Sequence, residues 1–212
     1  MATLTLAGFG LRPAQNFLGA APTYQANVYY IKKGYATAIG FGDLVETRTG
    51  STAYGYVGIY TAGDSHSLGV FAGVMPYYDT VLQQYVNKPW WAGTENAAGD
   101  VACWVVDDPF AVFTVQIGGT QSGVNPATNL LRGGNIDLAL NGSPNTSTGI
   151  STAYADATTY NNTTATLPLR VLGLSQMFQP GYDPTLNYAT QPTNNYLQVR
   201  LNTSENITAT GI

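Results

Sequence analysis

The chain is 212 residues long and only 9% of them are charged, against roughly 25% in an average soluble domain. A net charge of -4 with 44% hydrophobic and 12% aromatic residues excludes a disordered chain, which needs high net charge and few aromatics. The eight basic residues, Arg12, Lys32, Lys33, Arg48, Lys88, Arg132, Arg170 and Arg200, are too scattered to line a phosphate-binding groove, so direct nucleic-acid binding is not expected.

In chain order, the first forty residues read as an extended arm. Leu4, Leu6, Phe9, Leu11 and Phe17 fall irregularly among Gly8, Gly10, Pro13, Gly19 and Pro22, which fits neither a helix nor a long strand. The start has no basic leader and its apolar stretch is broken by Gly8 and Gly10, so no secretory signal is expected there. No apolar run approaches the roughly 18 residues that a membrane-spanning helix requires, and no membrane association is expected. From Val28 the pattern becomes short strands. Residues 28–31, 56–60 and 68–75 are rich in Val, Ile, Tyr and Phe. Glycines inside or beside these runs, at 55, 58, 69 and 73, point to bulges and the strong bending of a small barrel.

Residues 101–106 predict a buried strand, and Asp107-Asp108-Pro109 stops it. Asp108 can cap the following turn while Pro109 presets its first φ, so one helical turn is expected before a strand over 112–117. Between residues 118 and 166 the composition shifts to Asn, Thr, Ser and Gly, predicting long connections with a strand or two, such as 135–140. A period of two over 166–177 and again over 196–201 predicts the last strands. No segment sustains a 3.6-residue period and no repeat of fixed length is visible. The expected fold is mainly β: a compact antiparallel β-barrel or sandwich with long loops. Residues 1–27 form the N-terminal arm and 28–212 the β-rich domain, with room for two small subdomains bounded near 118–166.

Chemistry is sparse. Gly63-Asp-Ser-His66 resembles the start of one kind of serine hydrolase, but the only histidine is His66, adjacent to Ser65 and badly placed as its base. Asp107 and Asp108 are explained by capping, and no calcium-loop spacing accompanies them. Cys103 lies between Ala102 and Trp104 and reads as a small buried hydrophobe. Six Asn-x-Ser/Thr strings, at Asn141, Asn145, Asn161, Asn162, Asn202 and Asn206, are what an Asn- and Thr-rich chain produces by chance. No catalytic residue, metal site or cofactor is expected. The binding candidates are aromatic: Tyr77, Tyr78, Trp90 and Trp91, with Tyr85 nearby, combine apolar area with polar handles.

Several strings are similar to a family of tailed-bacteriophage head decoration, or capsid cement, proteins. They are Gly10-Leu-Arg-Pro13, Asn27-Val-Tyr-Tyr-Ile31, Pro89-Trp-Trp-Ala-Gly93, Val105-Val-Asp-Asp-Pro109 followed by Phe113-Thr-Val-Gln116, and Ala165-Thr-Leu-Pro-Leu-Arg-Val-Leu-Gly-Leu174. The resemblance spans most of the chain except 143–164 and the tail after Leu201. It implies a non-enzymatic virion structural protein on the capsid exterior, made in the host cytoplasm. Its partner would be the major capsid protein, which it would bind as a homotrimer at local three-fold positions. Leu4, Leu6, Phe9, Leu11, Arg12 and Phe17 would then be the capsid-contact arm. Two rival expectations are a carbohydrate- or receptor-binding virion module, which needs an exposed aromatic strip, and a jelly-roll capsid protein, which needs eight strands in two sheets.

Overall fold

The structure, a computed structural model, describes residues 6–16, 25–48, 55–64, 66–140, 142–175 and 193–206. The described residues form thirteen strands: β1 (Arg12–Asn16), β2 (Asn27–Ile31), β3 (Leu44–Thr47), β4 (Val57–Ile59), β5 (Gly69–Val74), β6 (Tyr77–Asp79), β7 (Gln84–Val86), β8 (Val101–Val106), β9 (Ala111–Gly118), β10 (Asn135–Leu140), β11 (Ala153–Asn161), β12 (Leu169–Leu174) and β13 (Tyr196–Leu201). Among the described residues there is no α-helix; a 3-10 turn at Asn129–Leu131 is the one helical element. The mainly-β barrel expectation holds.

The strands form two five-stranded barrels. In the C-terminal one, β9 pairs with β13, then come β12, β10 and β11, and β11 returns to β9 in parallel, closing the ring. In the N-terminal sheet the order is β2-β8-β5-β3-β4, and a parallel bridge between Tyr30 and Tyr56 brings the β4 end back to β2. Both barrels therefore share one strand connectivity. In each, the first strand pairs with the fifth, the fifth with the fourth, the fourth with the second and the second with the third, and the third meets the first in parallel.

The likeness extends to local irregularity. β5 shifts register against β8 between Phe71 and Gly73, and β12 shifts against β13 between Val171 and Gly173. Gly73 adopts a φ of 115°, a region that L side chains avoid, which is why glycine stands at this bulge. Phe71 faces Val105, and Val171 faces Val199. Hence Asn27, Tyr29 and Ile31 of β2 correspond to Phe113, Val115 and Ile117 of β9. No fixed period marks the repeat, because loops and insertions differ in length. The change from one barrel to the other falls at the turn of residues 107–110, upstream of the expected 118–166 boundary. There the Phe110 N–H donates to Asp108 Oδ1 at 2.8 Å and the Ala111 N–H to the Asp108 carbonyl at 3.1 Å. The Asp108 cap forms as expected, closing a single turn rather than a helical segment.

Two cores match the two barrels. One gathers Ile31, Val45, Val57, Phe71, Trp91, Cys103 and Val105. The other gathers Phe113, Val115, Ile117, Ile136, Leu169, Val171, Leu197 and Val199, together with Leu11, Leu44, Tyr60 and Val70, which join the barrels. Each fully buried Val, Leu, Ile or Phe contributes roughly 1.5–3 kcal/mol.

The arm expectation needs correcting for residues 6–16. β1 is an antiparallel neighbour of β9, with Arg12 opposite Thr114 and Asn16 opposite Ala111. The Leu11 side chain is fully buried, the Gly10 N–H donates to the Ala153 carbonyl, and the Leu11 N–H to the Gly42 carbonyl. Long-range partners that the local sequence does not reveal draw this stretch into the β domain. Leu4, Phe17 and the rest of that region lie outside the described residues.

Candidate interaction surface

Outside both barrels, inserted between β5 and β8, stands the β6–β7 hairpin. Tyr77 pairs with Val86 and Asp79 with Gln84. Asp79 organises the tip: its Oδ1 accepts from the Val81 N–H at 2.8 Å and the Leu82 N–H at 2.9 Å, and Gln83 closes the turn at a φ of 52°. The outer edge of β6 is tied to residues 96–98 by Thr80 N–H to the Asn96 carbonyl and Ala98 N–H to the Tyr78 carbonyl. A fixed backbone thus presents Val81, Leu82 and Tyr85 to solvent at 69%, 58% and 76% exposure. Apolar side chains held rigidly in water lose little entropy on docking, the arrangement expected of a protein-binding knob.

The four aromatics expected to bind divide by position. Tyr77 and Trp91 are core residues, their rings 6.2 Å apart, and Trp91 Nε1 donates to the Tyr35 carbonyl at 2.8 Å. Burial also pushes the Tyr77 hydroxyl up to about 12. Trp90 is half-buried and packs on Gly149, where an added Cβ would lie 2.3 Å from the indole Cδ1. Tyr78 is exposed and meets Tyr85 edge to face at 5.6 Å, so the pair offers no flat shared face for a sugar. Only Tyr78 therefore remains as a contact residue. Val81 and Leu82, which sequence reasoning missed, are the apolar centre of the knob.

Of the arm residues that are described, Phe9 packs its ring 5.6 Å from Tyr196, Leu6 is half-buried, and the Arg12 guanidinium lies 4.7 Å above the Phe41 ring. Burial lowers the Arg12 pKa from its ordinary value. These contacts are internal, and fully buried Leu11 offers nothing to a partner.

Between the barrels runs an apolar cleft of about 380 Å³ lined by Leu44, Ile59, Tyr60, Leu138, Leu140 and Asp43 among others. Asp43 is buried, accepting from the Gly40 N–H at 2.6 Å and from the Ser151 hydroxyl, and desolvation raises it to about 6. Across the junction Asp137 accepts from the Tyr60 hydroxyl at 3.2 Å and the Gly63 N–H at 3.0 Å. These carboxylates fasten loops at the junction. Gly63 and Asp64 of the hydrolase-like string lie in a turn, the Asp64 N–H reaching the Thr61 carbonyl; Ser65 lies outside the described residues. Cys103 is buried, its thiol pushed up to about 12 by desolvation. Among the described residues no three His, Cys, Asp or Glu side chains gather as a metal site, and no helix is long and apolar enough to cross a membrane.

No family model, curated protein or solved structure matches the chain.

Proposed function

We propose that this protein is a non-enzymatic virion structural protein that binds and stabilises an assembled phage capsid, with the major capsid protein as its partner. The observation that carries the reading is the rigid hairpin displaying Val81 and Leu82, an apolar tip fastened along its β6 edge and outside both cores. The family-like strings and the low charge point the same way, since a component whose surface lies against neighbours can do without Lys and Glu. The contact site moves from the arm to the knob. The sugar-binding reading loses its platform, because Trp91 is buried and Tyr78 stands edge-on to Tyr85. The jelly-roll reading requires eight strands in two sheets, where two five-stranded barrels stand.

Co-sedimentation with purified shells tests the proposal. The double variant Val81→Ser/Leu82→Ser should lose at least tenfold in shell affinity while melting at the wild-type temperature, because neither side chain contributes to a core. Undiminished binding by that variant would overturn the assignment of the knob.

A further inference from the structure

Three of the chain's eight basic residues, Lys32, Lys33 and Arg48, line one cleft of about 480 Å³ where the turn after β2 meets the β3–β4 hairpin. Tyr35, Tyr56 and Val57 are among the other lining residues. The turn is fixed: the Tyr35 N–H donates to the Lys32 carbonyl at 3.0 Å, and Gly34 supplies the φ of 77° that the turn needs. The Lys33 N–H donates to Asp100 Oδ1 at 2.8 Å, and the Tyr56 hydroxyl to Asp100 Oδ2 at 2.5 Å. One carboxylate thus ties both walls of the cleft.

The Arg48 side chain has a built seat. Its guanidinium lies 5.1 Å above the Tyr35 ring, and the Tyr35 hydroxyl is itself held, accepting from the Ile59 N–H at 3.0 Å. Against them runs β4 at Gly58, where a Cβ would stand 2.7 Å from Arg48 Cδ and 3.0 Å from the Tyr35 hydroxyl. Gly58 has no left-handed φ, so the glycine here provides room for Arg48 and Tyr35 rather than backbone freedom.

The seated guanidinium keeps its donors. Glu46, at 3.9 Å, is too distant to accept a hydrogen bond, and among the described residues no other acceptor reaches the guanidinium. A stacked, oriented arginine loses little freedom on binding an anion, and its planar fork matches a carboxylate through two parallel hydrogen bonds. The lysines add charge without needing to touch the ligand: Lys33 Nζ donates to the Ala98 carbonyl at 3.1 Å, yet the ammonium keeps its charge and further donors. Three cations set against two carboxylates, Asp100 and Glu46, leave a positive surplus of one charge. That surplus matches a monoanion better than a phosphate dianion. Val57 and the tyrosine rings offer apolar lining to a carbon skeleton.

We propose that this cleft binds a small organic acid, a monocarboxylate of monosaccharide or amino-acid size, with Arg48 gripping the carboxylate and Lys32 and Lys33 supplying the surrounding positive charge. The site is separate from the hairpin tip and does not depend on the capsid reading.

Amide NMR of the full chain at low ionic strength, titrated with D-glucuronate and separately with acetate, tests this. Saturable shifts are expected at Gly34, Thr37 and Gly58, with a dissociation constant near about 1 mM for glucuronate and weaker binding of acetate. Binding should weaken several-fold in about 0.3 M NaCl. Neutral D-glucose should leave those amides unmoved, and inorganic phosphate should bind less tightly than glucuronate. Arg48→Lys keeps the charge and removes the fork; it should weaken glucuronate binding by about fivefold or more at unchanged melting temperature, and Arg48→Gln should abolish it. No saturable shift with either carboxylate, equal shifts with glucose, tighter binding of phosphate, or wild-type affinity in Arg48→Lys would overturn the inference.

Discussion

Asp43 sits where the barrels meet, its carboxyl buried between the Gly40 N–H and the Ser151 hydroxyl, and Asp43→Asn removes the charge while nearly keeping the shape. Two influences oppose each other at this group. Desolvation favours the protonated form and the two donors favour the ionised one; desolvation wins, taking the carboxyl from 3.8 to about 6. The folded chain therefore holds this proton more tightly than the unfolded chain does. Stability contributed here is present below about pH 4, declines as pH rises, and is fully lost above about pH 6. The difference between 3.8 and about 6 corresponds to about 3 kcal/mol, undiminished by screening because the side chain is buried. Urea unfolding of wild type and Asp43→Asn, compared at each pH, cancels the other titrating groups to first order. The variant should gain on wild type by about 2.4 kcal/mol between pH 4 and pH 7, the rest of the roughly 3 kcal/mol lying below pH 4. A difference that stays flat, or that shrinks as pH rises, would refute the reasoning, because it would mean that the hydrogen bonds outweigh desolvation.

Gly149→Ala should destabilise by about 1–3 kcal/mol, since the φ of 70° disfavours a side chain and the new Cβ meets the Trp90 ring. Tryptophan emission should shift, and an unchanged spectrum with wild-type stability would contradict the packing. Deleting residues 1–16 should cost roughly 3 kcal/mol or more, because it strips Leu11 from the core and β1 from β9. Urea midpoints equal to wild type would instead restore a detachable arm. The knob variant described above completes the set: Val81→Ser/Leu82→Ser is read in shell binding.

The parts of the fold legible in the sequence are those where burial imposes a period of two on large residues. β13 shows it plainly, with Leu197, Val199 and Leu201 buried and Gln198 and Arg200 half-exposed. β11 was hidden among the loops because its inward positions are Ala153, Ala155 and Ala157, too small to stand out among Thr and Asn. β1 was misread because Leu11 finds its neighbours across the chain, through Gly42 and Ala153, which local pattern does not show. The internal repeat was invisible because what recurs is connectivity and one bulge, while the residues on equivalent strands differ: Val28 and Tyr30 in one barrel, Thr114 and Gln116 in the other. At the candidate site the aromatics drew attention to the right segment. Which of them were structural depended on tertiary contacts such as that between Trp91 and Tyr35. One local signal could have found the knob: two adjacent apolar residues, Val81 and Leu82, two and three positions after Asp79, which is placed to cap them.

Cryo-electron microscopy of purified particles tests the central proposal most directly. The account predicts density for this chain on the outer surface of the shell, with the 81–82 tip set against capsid subunits. Density on tail fibres, or particles that lack the protein, would contradict it.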